Sequence, residues 1–153
     1  MNTIGSICQR QVITIEDDCS VQEAALQMRQ HHVGALVVTS DEEGLGGNAA
    51  RVCGVVTDRD LTVEALARGL DANAITVGTL ISGKAVAIPS QASVVDAIGL
   101  MRSEGVRRLL VTGPQRQLAG IVSLDDIVSA LADELGDLAE SMRRGISREA
   151  LLR

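Results

Sequence analysis

Gly54-Val55-Val56-Thr57-Asp58-Arg59-Asp60-Leu61 and Gly120-Ile121-Val122-Ser123-Leu124-Asp125-Asp126-Ile127 are two copies of one pattern, glycine, apolar, any residue, Thr or Ser, two residues, then Asp. Each copy stands where an apolar, β-branched run gives way to an acidic opening turn, so each reads as a strand end feeding a helix start. Upstream, Ser20–Thr39 aligns with Ser93–Thr112 at a shift of 73, with nine of 20 positions identical. At the motif itself the shift is 66. The seven-residue difference falls in Ser40–Ala50, a Gly-rich, acidic stretch that reads as a flexible loop, where the second copy has only Thr112-Gly113-Pro114-Gln115.

Each copy carries the same element order. Val12–Ile15 or Ala85–Ile88 is a short extended piece. Ser20 or Ser93 caps a helix whose apolar positions (Val21, Ala24, Met28; Val94, Ala97, Met101) recur at helical spacing. Strands follow at Ala35–Thr39 and Arg51–Val56, or Arg108–Thr112 and Leu118–Val122, and a second helix opens near Asp58 or Leu124. The expected fold class is therefore α/β in the α+β sense, a tandem of β-α-β-β-α repeats. Repeats of this size are marginal alone and gain from a shared core. The boundaries drawn are 1–72 for the first repeat, 73–132 for the second, and 133–153 for a C-terminal helical tail. The linker is placed at Gly69–Thr76. In the tail, Leu135, Leu138, Met142, Ile146, Leu151 and Leu152 are loosely helical in spacing, with Gly136 and Gly145 as weak points. It is either a solvated helix or a subunit contact.

Composition removes several functions. The 153 residues include no Phe, Tyr or Trp, so there are no stacking platforms for single-stranded nucleic acid and no aromatic cages. The net charge is −6; residues 1–76 hold 5 basic and 11 acidic side chains, and residues 77–153 hold 9 of each. Such a surface does not favour nucleic acid or an anionic membrane. Cys8, Cys19 and Cys53 are odd in number and far apart, which suits half-buried free thiols in a reducing compartment better than zinc or disulfides. With no signal design and no long apolar run, a soluble, cytoplasmic protein is expected.

The motif admits two readings. Thr57 and Ser123 are N-cap types, and Ser123 with Asp126 has capping-box spacing. Alternatively, a helix N-terminus with open N–H groups and a hydroxyl suits phosphate, while an Asp three residues on can accept both hydroxyls of a ribose. Repetition of the Gly and the Asp favours the second.

The duplicated pattern, with this motif closing each copy, resembles the CBS-domain pair, or Bateman module, in its stand-alone bacterial form, over residues 4–132. The resemblance implies a pseudo-twofold pair with two clefts, and homodimers. It implies an adenosine-containing ligand, such as AMP, ADP, ATP or S-adenosylmethionine, as a regulatory ligand rather than a required cofactor. Asp60 and Asp126 match the family's ribose-binding aspartates, and Thr57 and Ser123 its hydroxyls near the phosphate. Arg59, Arg107 and Arg108 match positions that reach phosphates, and Val12, Ala35, Val86 and Leu109 match strand positions that wedge the adenine. This chain departs in having Leu110 where the family has Pro, Asp125 opposite Arg59, and no basic residue in Val33–Leu36, so the two clefts are expected to be unequal. His31-His32 is read as an exposed helix end. The function implied is a ligand-sensing regulatory module that alters a dimer contact or a contact with a separate effector protein. The alternative is an interaction subunit with vestigial, unoccupied clefts. An enzyme is not expected: the sequence has no nucleophile–base pair, no metal cluster and no P-loop.

Overall fold

The computed structural model describes residues 3–41, 51–81 and 85–152, so most of the expected loop Ser40–Ala50 lies outside the described residues. In chain order the elements are α1 (Ile4–Ile7), β1 (Thr14–Glu16), α2 (Val21–His31), β2 (Ala35–Ser40), β3 (Arg51–Thr57) and α3 (Asp58–Asp60). The last runs into a wide π-helical turn at Leu61–Leu66. A 3-10 turn at Val77–Thr79 follows, then β4 (Ala87–Pro89), α4 (Val94–Glu104), β5 (Arg108–Thr112), β6 (Leu118–Ser123) and α5 (Leu124–Leu151). The mixed α+β class and the repeated order expected from the sequence are both present.

The two repeats form two compact units. In the unit built from residues 11–85, β1 lies parallel to β2 and β2 antiparallel to β3. In the other, β4 is parallel to β5 and β5 antiparallel to β6. The same register irregularity recurs, between Val38 and Thr39 and between Val111 and Thr112. Ser20 and Ser93 cap their helices as expected. The Ser20 backbone N–H donates to Glu23 Oε2 (2.7 Å), and the Glu23 N–H donates to Ser20 Oγ (3.1 Å). Ser93 and Asp96 repeat the pattern. Both helices stop at a left-handed residue, Gly105 (φ 66°) and His32 (φ 53°), where glycine is the unstrained choice. The apolar stripe of each helix faces its own sheet: Val21, Ala24 and Met28 join Ile15, Leu36, Val38 and Val56, while Ala97 and Met101 join Ile88, Leu109, Val111 and Val122.

The unit boundaries are not the ones drawn from the sequence. Residues 3–10 belong with 86–152, and 73–85 belong with the first repeat. Ile4 is fully buried in the core of the second repeat, and its N–H donates to the Ala92 carbonyl (2.9 Å). Gln9 exchanges two backbone hydrogen bonds with Ile121 on β6. Val77 takes the equivalent place in the first repeat, equally buried, its N–H donating to the Cys19 carbonyl (2.9 Å). Thr3 bridges Ser93 as Thr76 bridges Ser20. Thr3-Ile4-Gly5 and Thr76-Val77-Gly78 are themselves one repeat at the same shift of 73, a signal too short to notice before the packing is known. The expected linker Gly69–Thr76 is likewise packed: Ala72 and Ile75 lie against the first core, and their carbonyls accept from Gln22 and Val21.

The tail is not a separate element. α5 is one helix of 28 residues that runs through both Gly136 and Gly145. No helix of the described residues is long and apolar enough to cross a membrane.

Candidate functional site

Both Thr/Ser-x-x-Asp motifs form closed capping boxes. The Thr57 backbone N–H and hydroxyl donate to Asp60 Oδ2 (2.8 and 2.9 Å), and the Asp60 N–H donates to Thr57 Oγ1 (3.2 Å). In the second copy the Ser123 N–H and hydroxyl donate to Asp126 Oδ2 (2.8 and 2.7 Å), and the Asp126 N–H donates to Ser123 Oγ (3.1 Å). The capping reading is thus realised in both copies. It does not exhaust the carboxylates, because each box consumes only Oδ2. Asp60 Oδ1 has no hydrogen-bond partner among the described residues, whereas Asp126 Oδ1 accepts from Gln9 Nε2 (3.2 Å). Each box therefore fixes its carboxylate and leaves one oxygen as an oriented acceptor, open in the first copy and shared with Gln9 in the second. Gln9 lies far from the motif in sequence, and nothing in the sequence pointed to it.

The donors expected for phosphate are mostly committed. In the first copy the Asp58 N–H donates to the Gly34 carbonyl (3.0 Å), the Arg59 N–H to Asp58 Oδ1 (2.8 Å), and the Asp60 N–H to Thr57 Oγ1. In the second, the Leu124 N–H donates to the Arg107 carbonyl (2.8 Å) and the Asp126 N–H to Ser123 Oγ. Only the Asp125 N–H remains. Thr57 and Ser123 spend their hydroxyl protons on the aspartates, so they act here as positioning groups rather than phosphate donors. The other residues expected to reach phosphate are Arg59, Arg107 and Arg108. Arg59 and Arg107 are exposed, and none of the three pairs with a carboxylate among the described residues.

Register brings Ala35 beside Thr57 and Arg108 beside Ser123. Val12 and Val86 are half-buried strand-entry residues. The position equivalent to Val86 is Ile13: the Ile13 carbonyl accepts from Val37 N–H and the Val86 carbonyl from Leu110 N–H, both at 2.9 Å. Leu109 is corrected outright. It is 1% exposed within the core of its own repeat, as is its counterpart Leu36, so its side chain is not available to an adenine ring.

The motif glycines serve packing rather than ligand approach. A Cβ on Gly54 would meet Ile81 Cγ2 at 2.5 Å, and one on Gly120 would meet Cys8 Sγ and the Gln9 carbonyl oxygen at 2.8 Å. Cys8 and Ile81 are equivalent residues of the two packed segments. A cavity of about 370 Å³ in the second unit is lined by Thr3, Ser6, Cys8, Arg10, Ser90 and Gln117, among others; none of the candidate residues lines it. All three cysteines are free and half-buried, as expected. Cys19 Sγ lies with Glu16 and Asp18 in a group whose ligand atoms are within 4.8 Å of one another. Burial and then the charge of Glu23 push the Cys19 thiol up from its ordinary value.

With this geometry in place, the comparisons with known proteins are direct. The family model described as "CBS domain" matches twice, over residues 4–66 and 77–133. The chain belongs to the CBS-domain family and carries two CBS repeats. It is 32% identical over 133 residues to Hypoxic response protein 1 of Mycobacterium tuberculosis, covering 87% of each chain. It is 33% identical over 135 residues to the CBS domain-containing protein YhcV of Bacillus subtilis, covering 88% of this chain and 89% of that one. Among solved structures, Hypoxic Response Protein I with two coordinated zinc ions is similar at 31% identity and a TM-score of 0.64, over 84% of this chain and 98% of that one.

Proposed function

We propose that the chain is a regulatory module that senses an adenosine-containing ligand, AMP, ADP, ATP or S-adenosylmethionine, through Asp60 and Asp126. Ligand binding alters a contact with a second copy or with a separate effector protein. The observation that carries the reading is the pair of carboxylates locked by their capping boxes with one oxygen left as an acceptor. That is the arrangement a ribose diol needs, twice over, at equivalent places in a CBS pair. Arg59 serves the first copy and Arg107 with Arg108 the second as phosphate ligands, and Ala35, Val12, Ile13 and Val86 flank the base. No catalytic step is assigned to these residues. Asp60 Oδ1 is open and Asp126 Oδ1 is shared, so the first copy binds without displacing Gln9 and the second does not.

The zinc ions belong to that similar structure, and no zinc role is assigned to the Glu16-Asp18-Cys19 group here.

The test is calorimetric titration with each adenosyl compound, using wild type, Asp60→Asn, Asp126→Asn and Gln9→Ala. A heat that either aspartate substitution weakens supports the assignment. Gln9→Ala should leave the Asp60 site unchanged and strengthen the other. At 100 times Kd a bound ligand adds about 2.7 kcal/mol, a rise in Tm of roughly 5–11 °C for a chain of this length. If no adenosyl compound binds, the reading fails and the interaction-subunit alternative stands. Lacking Trp and Tyr, the chain barely absorbs at 280 nm, so co-purified nucleotide would also be visible near 260 nm.

A further inference from the structure

We infer that the cavity of the second unit is a binding site for a small polar carboxylate, separate from the Asp60 and Asp126 positions. Its volume is about 370 Å³, within the range of small-molecule sites. Its walls come from three segments of the one unit: α1 and the residues around it (Thr3, Ser6, Cys8, Arg10), the turn after β4 (Ser90), and the β5–β6 hairpin (Gln117). Two glycines let these segments close up. A Cβ on Gly5 would meet Ser90 Cβ and the Ser90 carbonyl oxygen at 3.0 Å, and one on Gly113 would run into the Gln117 side-chain amide.

The lining selects the charge. Arg10 is the one charged residue in it, and no carboxylate lines it among the described residues. Arg10 Nη2 donates to the Gly5 carbonyl (3.4 Å), which holds the guanidinium against the wall, and no acidic side chain pairs with it among the described residues. Gln117 Oε1 accepts from the Gln115 N–H (3.0 Å), which leaves Nε2 as a donor. One tethered guanidinium among neutral donors suits a single negative charge, and its planar fork matches the two oxygens of a carboxylate. Ser90 and Gln117 suit hydroxyl groups on the same molecule. The first repeat supplies a contrast. At the shift of 73, Ser90 and Gln91 correspond to Asp17 and Asp18, Cys8 to Ile81 and Arg10 to Gly83; at the shift of 66, Gln117 corresponds to Arg51. Two carboxylates thus stand against one guanidinium at those positions, and the unopposed cation belongs to the second copy.

The site is distinct from the motif. Cys8 is extended (φ −70°, ψ 153°), and side chains alternate along such backbone. Cys8 and Arg10 line the cavity, while Gln9 between them reaches Asp126. The cavity adjoins the hairpin end of β6, and Ser123 ends that strand about 17 Å from Leu118, at about 3.3 Å per residue. It is therefore independent of the ligand reading at Asp60 and Asp126.

Cys8 gives the readout, because an occupant of the cavity shields its thiol. The full chain is alkylated with N-ethylmaleimide and each of the three cysteines is followed by peptide mass. Acetate, lactate, glycerate, inorganic phosphate or glycerol is added at matched ionic strength. A carboxylate is expected to slow Cys8 about tenfold at roughly ten times its Kd and to leave Cys19 and Cys53 unchanged. Arg10→Gln, at an exposed position, should keep the wild-type melting temperature and abolish the protection. Protection by phosphate in place of the carboxylates would overturn the carboxylate class. Equal protection by glycerol, or protection that survives Arg10→Gln, would overturn recognition of charge. No protection by any of the three carboxylates would overturn the site. If Cys8 reacts too slowly to follow, the shift of the Gln117 side-chain amide signal in NMR titrations with the same compounds takes its place, with the same outcomes. No adenosyl compound enters the experiment, so its failure leaves the ligand reading to its own test.

Discussion

Ile4 lies more than 80 residues before the elements it packs against, and Ile4→Ala tests that placement. The side chain is fully buried among Ile88, Ala97, Met101, Leu109, Val111, Val122 and Ile127. The substitution removes three methyl or methylene groups, about 2.4 kcal/mol at about 0.8 each. The cavity left behind raises the loss to about 3–4 kcal/mol. The effect is local in space, so native-state hydrogen exchange read by mass spectrometry is the assay. Amides of β4, β5 and β6 should exchange roughly 100- to 1,000-fold faster, since each 1.4 kcal/mol is about tenfold, and those of β1–β3 should change far less. Val77→Ala is the mirror experiment. It removes one methylene fewer, costs about 0.8 kcal/mol less, and should accelerate β1–β3 instead. If Ile4→Ala speeds exchange chiefly in β1–β3, or equally in both sheets, the assignment of residues 3–10 to the second repeat is refuted.

Three further outcomes follow from the same packing. Gly120→Ala places a Cβ 2.8 Å from Cys8 Sγ and the Gln9 carbonyl and should cost about 1–3 kcal/mol in urea denaturation. Gly136→Ala meets nothing within 4 Å and should gain about 1 kcal/mol; equal effects of the two would contradict the packing role of Gly120. His32→Gly relieves a left-handed residue at φ 53° and should raise stability by about 1 kcal/mol, whereas a loss would show that the imidazole has an unrecognised contact. Hydrogen bonds from the Ser93 hydroxyl and backbone hold the Asp96 carboxyl below its ordinary 3.8. The unfolded chain therefore takes up this proton first on acidification, and the box's contribution, complete above about pH 4, is lost as pH falls through the depressed value. A wild-type melting profile steeper than that of Asp96→Asn between pH 5 and pH 2 (about the span over which such a group titrates) is expected; parallel profiles would refute it.

The duplication, the capping serines and both aspartates were legible because each rests on local chemistry. A helix start needs Ser, Thr or Asp at a fixed spacing, and a half-buried strand needs its apolar residues in a run. The sheet pairings follow from the same repeats. The cap and the proposed ligand-acceptor reading of the motif could not be separated in sequence because they use the same residues. Only the geometry shows that the cap takes Oδ2 and leaves Oδ1. The repetition of the glycine has a packing reason that the sequence did not show: the group that comes close to Gly54 or Gly120 is Ile81 or Cys8 of a packed segment.

By itself the sequence determined that this protein is two CBS repeats, because repeated local spacing is written directly in the chain. Tertiary structure alone decided which segment completes which repeat. Thr3–Gln9 closes the second repeat and the residues around Val77 the first, since burial joins surfaces without regard to their separation along the chain. For the same reason it decided that Leu109 is core rather than site, that Gln9 reaches Asp126, and that the apolar stripe of α5 leaves its own repeat uncovered.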